Sequence, residues 1–265
     1  MTVAPEPPAL EDELLAVADE AAHAAAGELK ARFGHSQTDV RSKSSPTDLV
    51  SDADVSAERA IRTVLGARRP QDAILGEEGG ATGDGDLRWV IDPLDGTTNF
   101  LFGFPQFAVS VACEDAHGGL VGVVLDPVRE ECFSATRSGI PRLNGVEIGS
   151  SQRRELGSAL VATGFSYDAA ERARQAEVVS RVLPRVRDIR RAGAAALDLA
   201  WAACGRVDAF YERGVKAWDI AAGALVARRA GLVVRSLTAR DGEPSGLLVA
   251  SPALVDELLA LVLGD

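Results

Sequence analysis

The order of the predicted strands and helices changes near residue 150, and this change limits the folds open to the chain. Before it, the stretches FAVSVACED and GGLVGVVLDPVREECFSAT and the Asn144-Gly145 turn indicate short strands in hairpins, which are most naturally antiparallel. From about residue 156, strands alternate with helices, as expected of layered α/β packing. We therefore predict an N-terminal α+β domain over residues 1–150 and a C-terminal α/β domain over residues 151–265.

Two predicted helices precede these strands. Between residues 10 and 33, apolar side chains recur on one helical face. A second helix begins near Asp52, and its N-cap is Ser51 or Asp52, because a side-chain oxygen there can accept a hydrogen bond from a free backbone amide. With 265 residues, 46% of them hydrophobic, the chain is long enough to bury a substantial core.

The charge of the chain argues against two classes of partner. The 39 Asp and Glu outnumber the 28 Lys and Arg, for a net charge of -11, so the protein as a whole would be repelled by nucleic acid or an anionic membrane. We find no basic segment leading into an apolar run and no stretch of about 18 apolar residues. We expect a cytoplasmic protein with no nucleic-acid or membrane partner, and free thiols at its three cysteines, which lack CxxC spacing.

The segment WVIDPLDGTTNF, residues 89–100, is the most informative motif. Asp92 and Asp95 end an apolar strand, and Pro93 between them lacks an amide hydrogen and restricts the backbone, so the segment does not simply continue the strand. Carboxylates with the Leu94 carbonyl are the oxygen ligands that Mg²⁺ prefers. An Asx turn would explain one Asp and one Thr, but it leaves the second Asp and the Pro unexplained. The motif therefore predicts a magnesium site.

The residues that follow this acid pair are typical of a phosphate site. Gly96 permits close approach of a ligand to the backbone, and the amides at a helix start, here near Thr97, can bind phosphate oxygens. Two further acids, Glu77 and Asp219, occur where a strand or helix meets a turn. Local sequence alone leaves alternatives open, because Glu77 with Glu78 could be a solvated charge pair and Asp219 an ordinary N-cap.

Three separated motifs together resemble the inositol monophosphatase family of Mg²⁺-dependent, lithium-sensitive phosphatases. They are GEE at 76–78, the segment at 89–100 and WDIAAGALVARRAG at 218–231, in the order and spacing of the family. The resemblance covers nearly all of the chain after residue 10. It implies a five-layered αβαβα sandwich, usually assembled as a homodimer.

The resemblance also implies roles for individual residues. Glu77, Asp92 and the Leu94 carbonyl would bind one Mg²⁺, and Asp92, Asp95 and Asp219 a second. A third ion would lie near Glu77, which would make two or three per site. Asp54 and Thr97 would activate the attacking water, with Glu77 counted among the catalytic residues. The implied substrate contacts are Lys43, Asp95, Gly96, Thr97, Gly193, Ala194, Ala195 and Glu212.

The implied function is hydrolysis of a small polyol phosphate, with inositol 1-phosphate as the favoured substrate. Phosphatases of the same mechanism acting on histidinol phosphate or fructose 1,6-bisphosphate are alternatives, as is a non-catalytic binding or regulatory protein on the same scaffold. The basic pair Arg190 and Arg191 is interpreted as a solvated strand end, with a substrate role at the pocket rim as the alternative.

Overall fold

The fold is taken from a computed structural model of the chain, which describes residues 7–35, 40–42, 49–240 and 242–264. Its helices are α1 (Pro7–Arg32), α2 (Asp52–Arg68), α3 (Thr97–Leu101), α4 (Ala169–Val182), α5 (Ala195–Ala203), α6 (Ala217–Arg229) and α7 (Val255–Leu263). Its strands are β1 (Arg41–Ser42), β2 (Leu49–Val50), β3 (Ala73–Gly76), β4 (Gly80–Thr82), β5 (Arg88–Asp95), β6 (Ala108–Asp115), β7 (Gly118–Asp126), β8 (Glu131–Thr136), β9 (Arg142–Leu143), β10 (Val146–Glu147), β11 (Leu160–Thr163), β12 (Asp188–Arg190), β13 (Ala209–Arg213), β14 (Val233–Leu237) and β15 (Gly246–Ala250).

Two large sheets organise the molecule. The larger has the order β10-β9-β8-β7-β6-β5-β3-β4, with β3 and β5 parallel and its other neighbours antiparallel. The smaller has the order β12-β11-β13-β15-β14, in which β11 runs parallel to both neighbours. The predicted antiparallel hairpins before residue 150 are confirmed, including the Asn144-Gly145 turn, where both residues have positive φ, of 48° and 79°.

The helices and sheets stack in five layers. Helices α1 and α2 pack together on one face of the larger sheet, α5 and α6 lie between the two sheets, and α4 and α7 cover the outer face of the smaller sheet. One apolar cluster lies between the larger sheet and α1 with α2, a second fills both spaces around α5 and α6, and a third lies between the smaller sheet and α4 with α7. Because α5 meets a sheet on either side, nearly all of its residues are buried, which accounts for its Ala-rich sequence. This order confirms the predicted αβαβα sandwich.

The division near residue 150 stays a prediction. The central cluster joins Val124 and Phe133 from the larger sheet to Leu197 and Phe210 from the chain after that position. Among the described residues, no helix has the length and apolar content needed to cross a membrane. The cysteines of the chain are free thiols, as predicted.

Helix α2 begins as the sequence predicts, and its first turn places a site residue. The Ser51 hydroxyl accepts a hydrogen bond from the Ala53 amide at 3.2 Å, and the Asp54 carboxylate accepts one from the Ser51 amide at 2.8 Å. Ser51 is therefore the N-cap, and the reciprocal pair of bonds holds Asp54 in a single orientation at the start of the helix.

Candidate active site

A cleft of about 560 Å³ lies where the ends of strands from both sheets meet the ends of helices. Strand β5 ends in this cleft with Asp92, Leu94 and Asp95. Glu77 follows β3, the parallel neighbour of β5, and the pairing of Gly76 with Ile91 brings Glu77 beside Asp92. Asp219 enters from the first turn of α6. Thus the four acids that the sequence predicts to act together line one cleft.

The close approach of these acids changes their proton affinities. Burial, and after it the neighbouring carboxylates, raise the pKa of Asp92 well above its usual range and that of Asp95 to about 8. Burial also raises the pKa of Asp219 to about 6, an effect limited by the Lys216 amide, which donates to its carboxylate at 2.6 Å. The charges of Glu77, Asp95 and Asp219 each contribute to the raised pKa of Asp92. Their negative charges are therefore costly to hold together in this cleft.

The donor set fits a hard divalent cation. The side chains and the Leu94 carbonyl present oxygen atoms only, whereas His and Cys, the usual zinc ligands, do not line the described cleft. In the described ranges, no Arg or Lys forms an ion pair with Asp92, Asp95 or Asp219. In the same ranges, no group of three or more His, Cys, Asp and Glu side chains is arranged so that it could hold a metal ion. The assignment of ligands is accordingly a proposal, supported by the donor chemistry and by the raised pKa values.

Asp95 connects the acid cluster to the central helices. Its two carboxylate oxygens accept hydrogen bonds from the amides of Ala195 at 3.2 Å and Ala196 at 2.7 Å, in the first turn of α5. Negative charge is favoured at a helix N-terminus. These bonds join residues 100 and 101 positions apart in the chain and fix the orientation of the Asp95 carboxylate.

Asp54 and Thr97 form a hydrogen-bonded pair beside the acids. The Thr97 hydroxyl lies 2.9 Å from Asp54 Oδ1 and 3.1 Å from the Leu94 carbonyl oxygen. Thr97 lines the cleft, whereas Asp54 is fully buried behind it and reaches the cleft through Thr97. The Asp54 carboxylate also accepts from the Ser51 hydroxyl at 2.7 Å. This arrangement can hold the Thr97 oxygen in place and accept a proton from it.

Gly96 is required by the turn that carries Thr97. Its φ of 95° is in the left-handed region, and a Cβ atom there would lie 3.0 Å from the Gln106 carbonyl oxygen and 3.2 Å from that of Gly193. The neighbouring Asn99 amide donates to the carbonyls of Gln106 at 2.7 Å and Ala192 at 2.9 Å. The phosphate turn predicted from the sequence is thus fastened to the loop before α5, a contact that sequence motifs could not reveal.

The predicted substrate contacts divide into three groups. Gly193, Ala195 and Glu212 line the cleft together with Asp95, Gly96 and Thr97. Ala194 is buried and is not among the lining residues. Lys43 lies outside the described residues, so the prediction for it remains as it stands. Burial, followed by the charges of Asp219 and Asp95, raises the pKa of Glu212 to about 8.

Several lining residues are not among the site residues predicted from the sequence. Arg191 is exposed at the cleft wall, with its guanidinium carbon 5.8 Å from the ring centroid of Phe165. Tyr167, Lys216 and Trp218 also line the cleft. Of these, only Arg191 had a sequence signal, the basic cluster, whose alternative interpretation placed it at the pocket rim.

Comparison with known proteins decides the family. The model of the inositol monophosphatase family matches residues 10–263. The chain belongs to the inositol monophosphatase family. Its sequence is 44% identical over 248 residues to inositol-1-monophosphatase SuhB from Mycobacterium tuberculosis, over 86% of this chain and 83% of that protein. The crystal structure of extragenic suppressor protein suhB from Bartonella henselae has a TM-score of 0.87 and 34% identity, over 94% of this chain and 98% of that one.

Similar family members carry two kinds of name. Nus factor SuhB from Escherichia coli is 40% identical over 224 residues, which cover 83% of this chain and 84% of that protein. The inositol monophosphatase family is a family of phosphatases and is generally metal-dependent. Membership therefore gives the expected reaction class, whereas the substrate and the metal depend on the residues of the cleft.

Proposed function

We propose that this chain is a Mg²⁺-dependent phosphatase that hydrolyses small polyol phosphates, with inositol 1-phosphate as its preferred substrate. The observation that carries the proposal is one cleft lined by Glu77, Asp92, Asp95 and Asp219, beside a buried Asp54 that is hydrogen-bonded to Thr97. The first four supply oxygen ligands for divalent cations, and the last two form a path for a proton. Both features would assist the hydrolysis of a phosphate monoester, which reacts extremely slowly unaided.

The residues proposed to hold Mg²⁺ are those four acids and the Leu94 carbonyl, for two or three ions. When bound, Mg²⁺ would lower the pKa of water and neutralise charge on the phosphate and the leaving oxygen. The cations would also reverse the sign of the charge in the cleft, so that an anionic substrate is attracted into an acidic protein. In a cleft without cations, the acids would repel an anionic substrate, as they already raise one another's pKa values.

The proton path follows from the bonding of Thr97. When its hydroxyl donates to Asp54 Oδ1, its oxygen lone pairs remain available to accept a hydrogen bond from the attacking water. Thr97 thereby orients the water, and Asp54 takes up the proton that Thr97 passes on, which is general-base assistance through one hydroxyl. The backbone amides of Gly96 and Thr97 would hold the phosphate for in-line attack.

The alcohol part of the substrate would occupy the opposite wall. Glu212 on β13 lines the cleft there, together with Gly193 before α5 and Ala195 at the start of α5. A carboxyl with a pKa of about 8 can donate or accept a hydrogen bond with a polyol hydroxyl near neutral pH. This wall, with Arg191 and the nearby aromatic residues, is where substrates of the family would be distinguished.

The test is a panel of inositol 1-phosphate, histidinol phosphate and fructose 1,6-bisphosphate, assayed side by side for phosphate release with Mg²⁺. We expect inositol 1-phosphate to have the highest kcat/KM, and we expect Li⁺ to inhibit. A clear preference for histidinol phosphate or for the bisphosphate would replace the substrate assignment and leave the mechanism in place.

A second candidate is a non-catalytic binding or regulatory role on the same scaffold. The observation that favours it is the similarity to the Escherichia coli relative named as a Nus factor. Against it stands the complete set of metal acids together with Asp54 and Thr97. Purified chain that releases no phosphate from any member of the panel, at any Mg²⁺ concentration, would lead us to adopt this second role.

A further inference from the structure

Glu58 is a buried carboxylate that the proposed mechanism does not use. It lies on α2, one turn after Asp54, and only 3% of its surface is exposed. Its Oε2 atom accepts a hydrogen bond from the Glu78 amide at 2.8 Å, and its Oε1 atom accepts one from the Gly79 amide, also at 2.8 Å. Both amides belong to the turn that joins β3 to β4. Glu58 therefore binds the backbone of the same turn that contains the cleft residue Glu77.

Arg62 completes the contact from the next turn of α2. Its Nε atom donates to Glu58 Oε1 at 2.6 Å, and its Nη2 atom donates to the Gly80 carbonyl at 2.8 Å. The ion pair balances the charge of Glu58, and Arg62 binds the same turn as Glu58 does. A buried carboxylate that accepts three charge-assisted or amide hydrogen bonds is held firmly.

The glycines of this turn are those that the carboxylate requires. A Cβ atom on Gly76 or on Gly79 would lie 2.6 Å from Glu58 Oε1, closer than such contacts allow. Neither glycine has a positive φ, so their small size, and not their backbone conformation, is what the turn uses. The sequence of the turn, Gly-Glu-Glu-Gly, is thus shaped around Glu58.

We infer that Glu58 is a positioning residue that sets the orientation of Glu77 for binding a divalent cation. The inference rests on the proposed function, in which Glu77 is a metal ligand. Helix α2 then serves the cleft twice from one face, through Asp54 to Thr97 and through Glu58 to the β3–β4 turn. Groups that orient metal ligands in this way commonly change metal affinity 10- to 100-fold when they are removed.

The test measures metal binding directly, by calorimetric titration of the purified full chain with MgCl₂ alone. Glu58→Gln keeps the size of the side chain but replaces one acceptor oxygen with a donor, and we expect it to raise the Mg²⁺ dissociation constant about tenfold or more. The KM for inositol 1-phosphate at saturating Mg²⁺ should change less than twofold. Gly79→Ala, which pushes on the same carboxylate, should act in the same direction and provides a second variant if Glu58→Gln folds poorly.

Glu11→Gln is the matched control. Glu11 is also a buried carboxylate that binds a loop amide, that of Ser138 at 3.0 Å, and it does not line the cleft. The Glu11→Gln substitution should lower the melting temperature without changing the affinity for Mg²⁺.

Three outcomes separate the possibilities. A rise in the dissociation constant for Glu58→Gln but not for Glu11→Gln supports the inference. Unchanged Mg²⁺ affinity in Glu58→Gln, when Glu77→Gln weakens it, overturns the inference and leaves the proposed function intact. Wild-type chain that binds no Mg²⁺ and releases no phosphate refutes the proposed function, and with it this inference.

Discussion

Replacing Thr97 with Val tests the proton path most directly, because the two side chains have nearly the same shape and differ by one hydroxyl. The substitution removes the group 2.9 Å from Asp54 Oδ1 and 3.1 Å from the Leu94 carbonyl. Loss of a hydrogen bond to a buried charged acceptor costs about 1–3 kcal/mol of folding stability. For a chain of this length, that corresponds to a fall in melting temperature of about 2–12 °C.

Activity should fall much further than stability. If Thr97 orients the water and passes its proton to Asp54, Thr97→Val removes general-base assistance worth roughly 10²–10⁴ in rate. Phosphate release from inositol 1-phosphate at saturating Mg²⁺ measures this loss as kcat, and Thr97→Ser, which restores a hydroxyl, should recover much of it.

The neighbouring residue supplies the control. The Thr98 hydroxyl is buried and has no hydrogen-bond partner among the described residues, so Thr98→Val should be neutral or slightly stabilising and should leave kcat unchanged. A Thr97→Val variant whose kcat stays within twofold of wild type would refute the role of Thr97, whatever its melting temperature.

Three further predictions concern the acids and the turn. Asp95→Asn should nearly abolish phosphate release, because it alters a proposed ligand whose oxygens also accept from the Ala195 and Ala196 amides, and near-normal turnover would contradict the ligand scheme. In EDTA the melting temperature should fall as the pH rises from 5 to 8. The reason is that Asp95, with a pKa of about 8 in the folded chain, keeps a proton that the unfolded chain releases near pH 4. MgCl₂ should reduce this fall, and a melting temperature in EDTA that does not change with pH would count against the raised pKa values. Gly96→Ala should lower the free energy of unfolding, measured by urea denaturation, by about 1–3 kcal/mol, because Gly96 has a positive φ and close neighbours. Gly27→Ala, in the open interior of α1, should raise it by about 0.5–1 kcal/mol. Equal effects of the two substitutions would refute the argument from backbone geometry.

Much of the architecture was accessible from the sequence because local patterns encode it. The helical face over residues 10–33, the Ser51 cap and the Asn144-Gly145 turn depend on neighbours along the chain, and the structure confirms each of them. The order of the layers was not predicted from local patterns. It was implied by the resemblance to the inositol monophosphatase family, to which the chain belongs. The ligand roles that the same resemblance implied stay predictions.

Other parts of the site depend on contacts between distant segments, which no local pattern specifies. In the sequence, Glu58 is indistinguishable from an ordinary charged residue on a helix. Its role depends on the hydrogen bonds that it accepts from the turn between β3 and β4. Arg191, similarly, becomes part of the cleft wall only when β12 pairs beside β11.

The order of the amino acids alone establishes which chemical groups this protein can use: strand ends that carry acids, a glycine turn with hydroxyls and a capped helix with Asp54. These depend on residue type and short-range geometry, which neighbouring residues impose. The packing of the folded chain, by contrast, places β3 and β5 side by side, lets Asp95 bind the amides of α5 and keeps Asp54 buried behind Thr97. Such contacts join residues tens of positions apart, so they form only when the packing of whole layers brings those residues together.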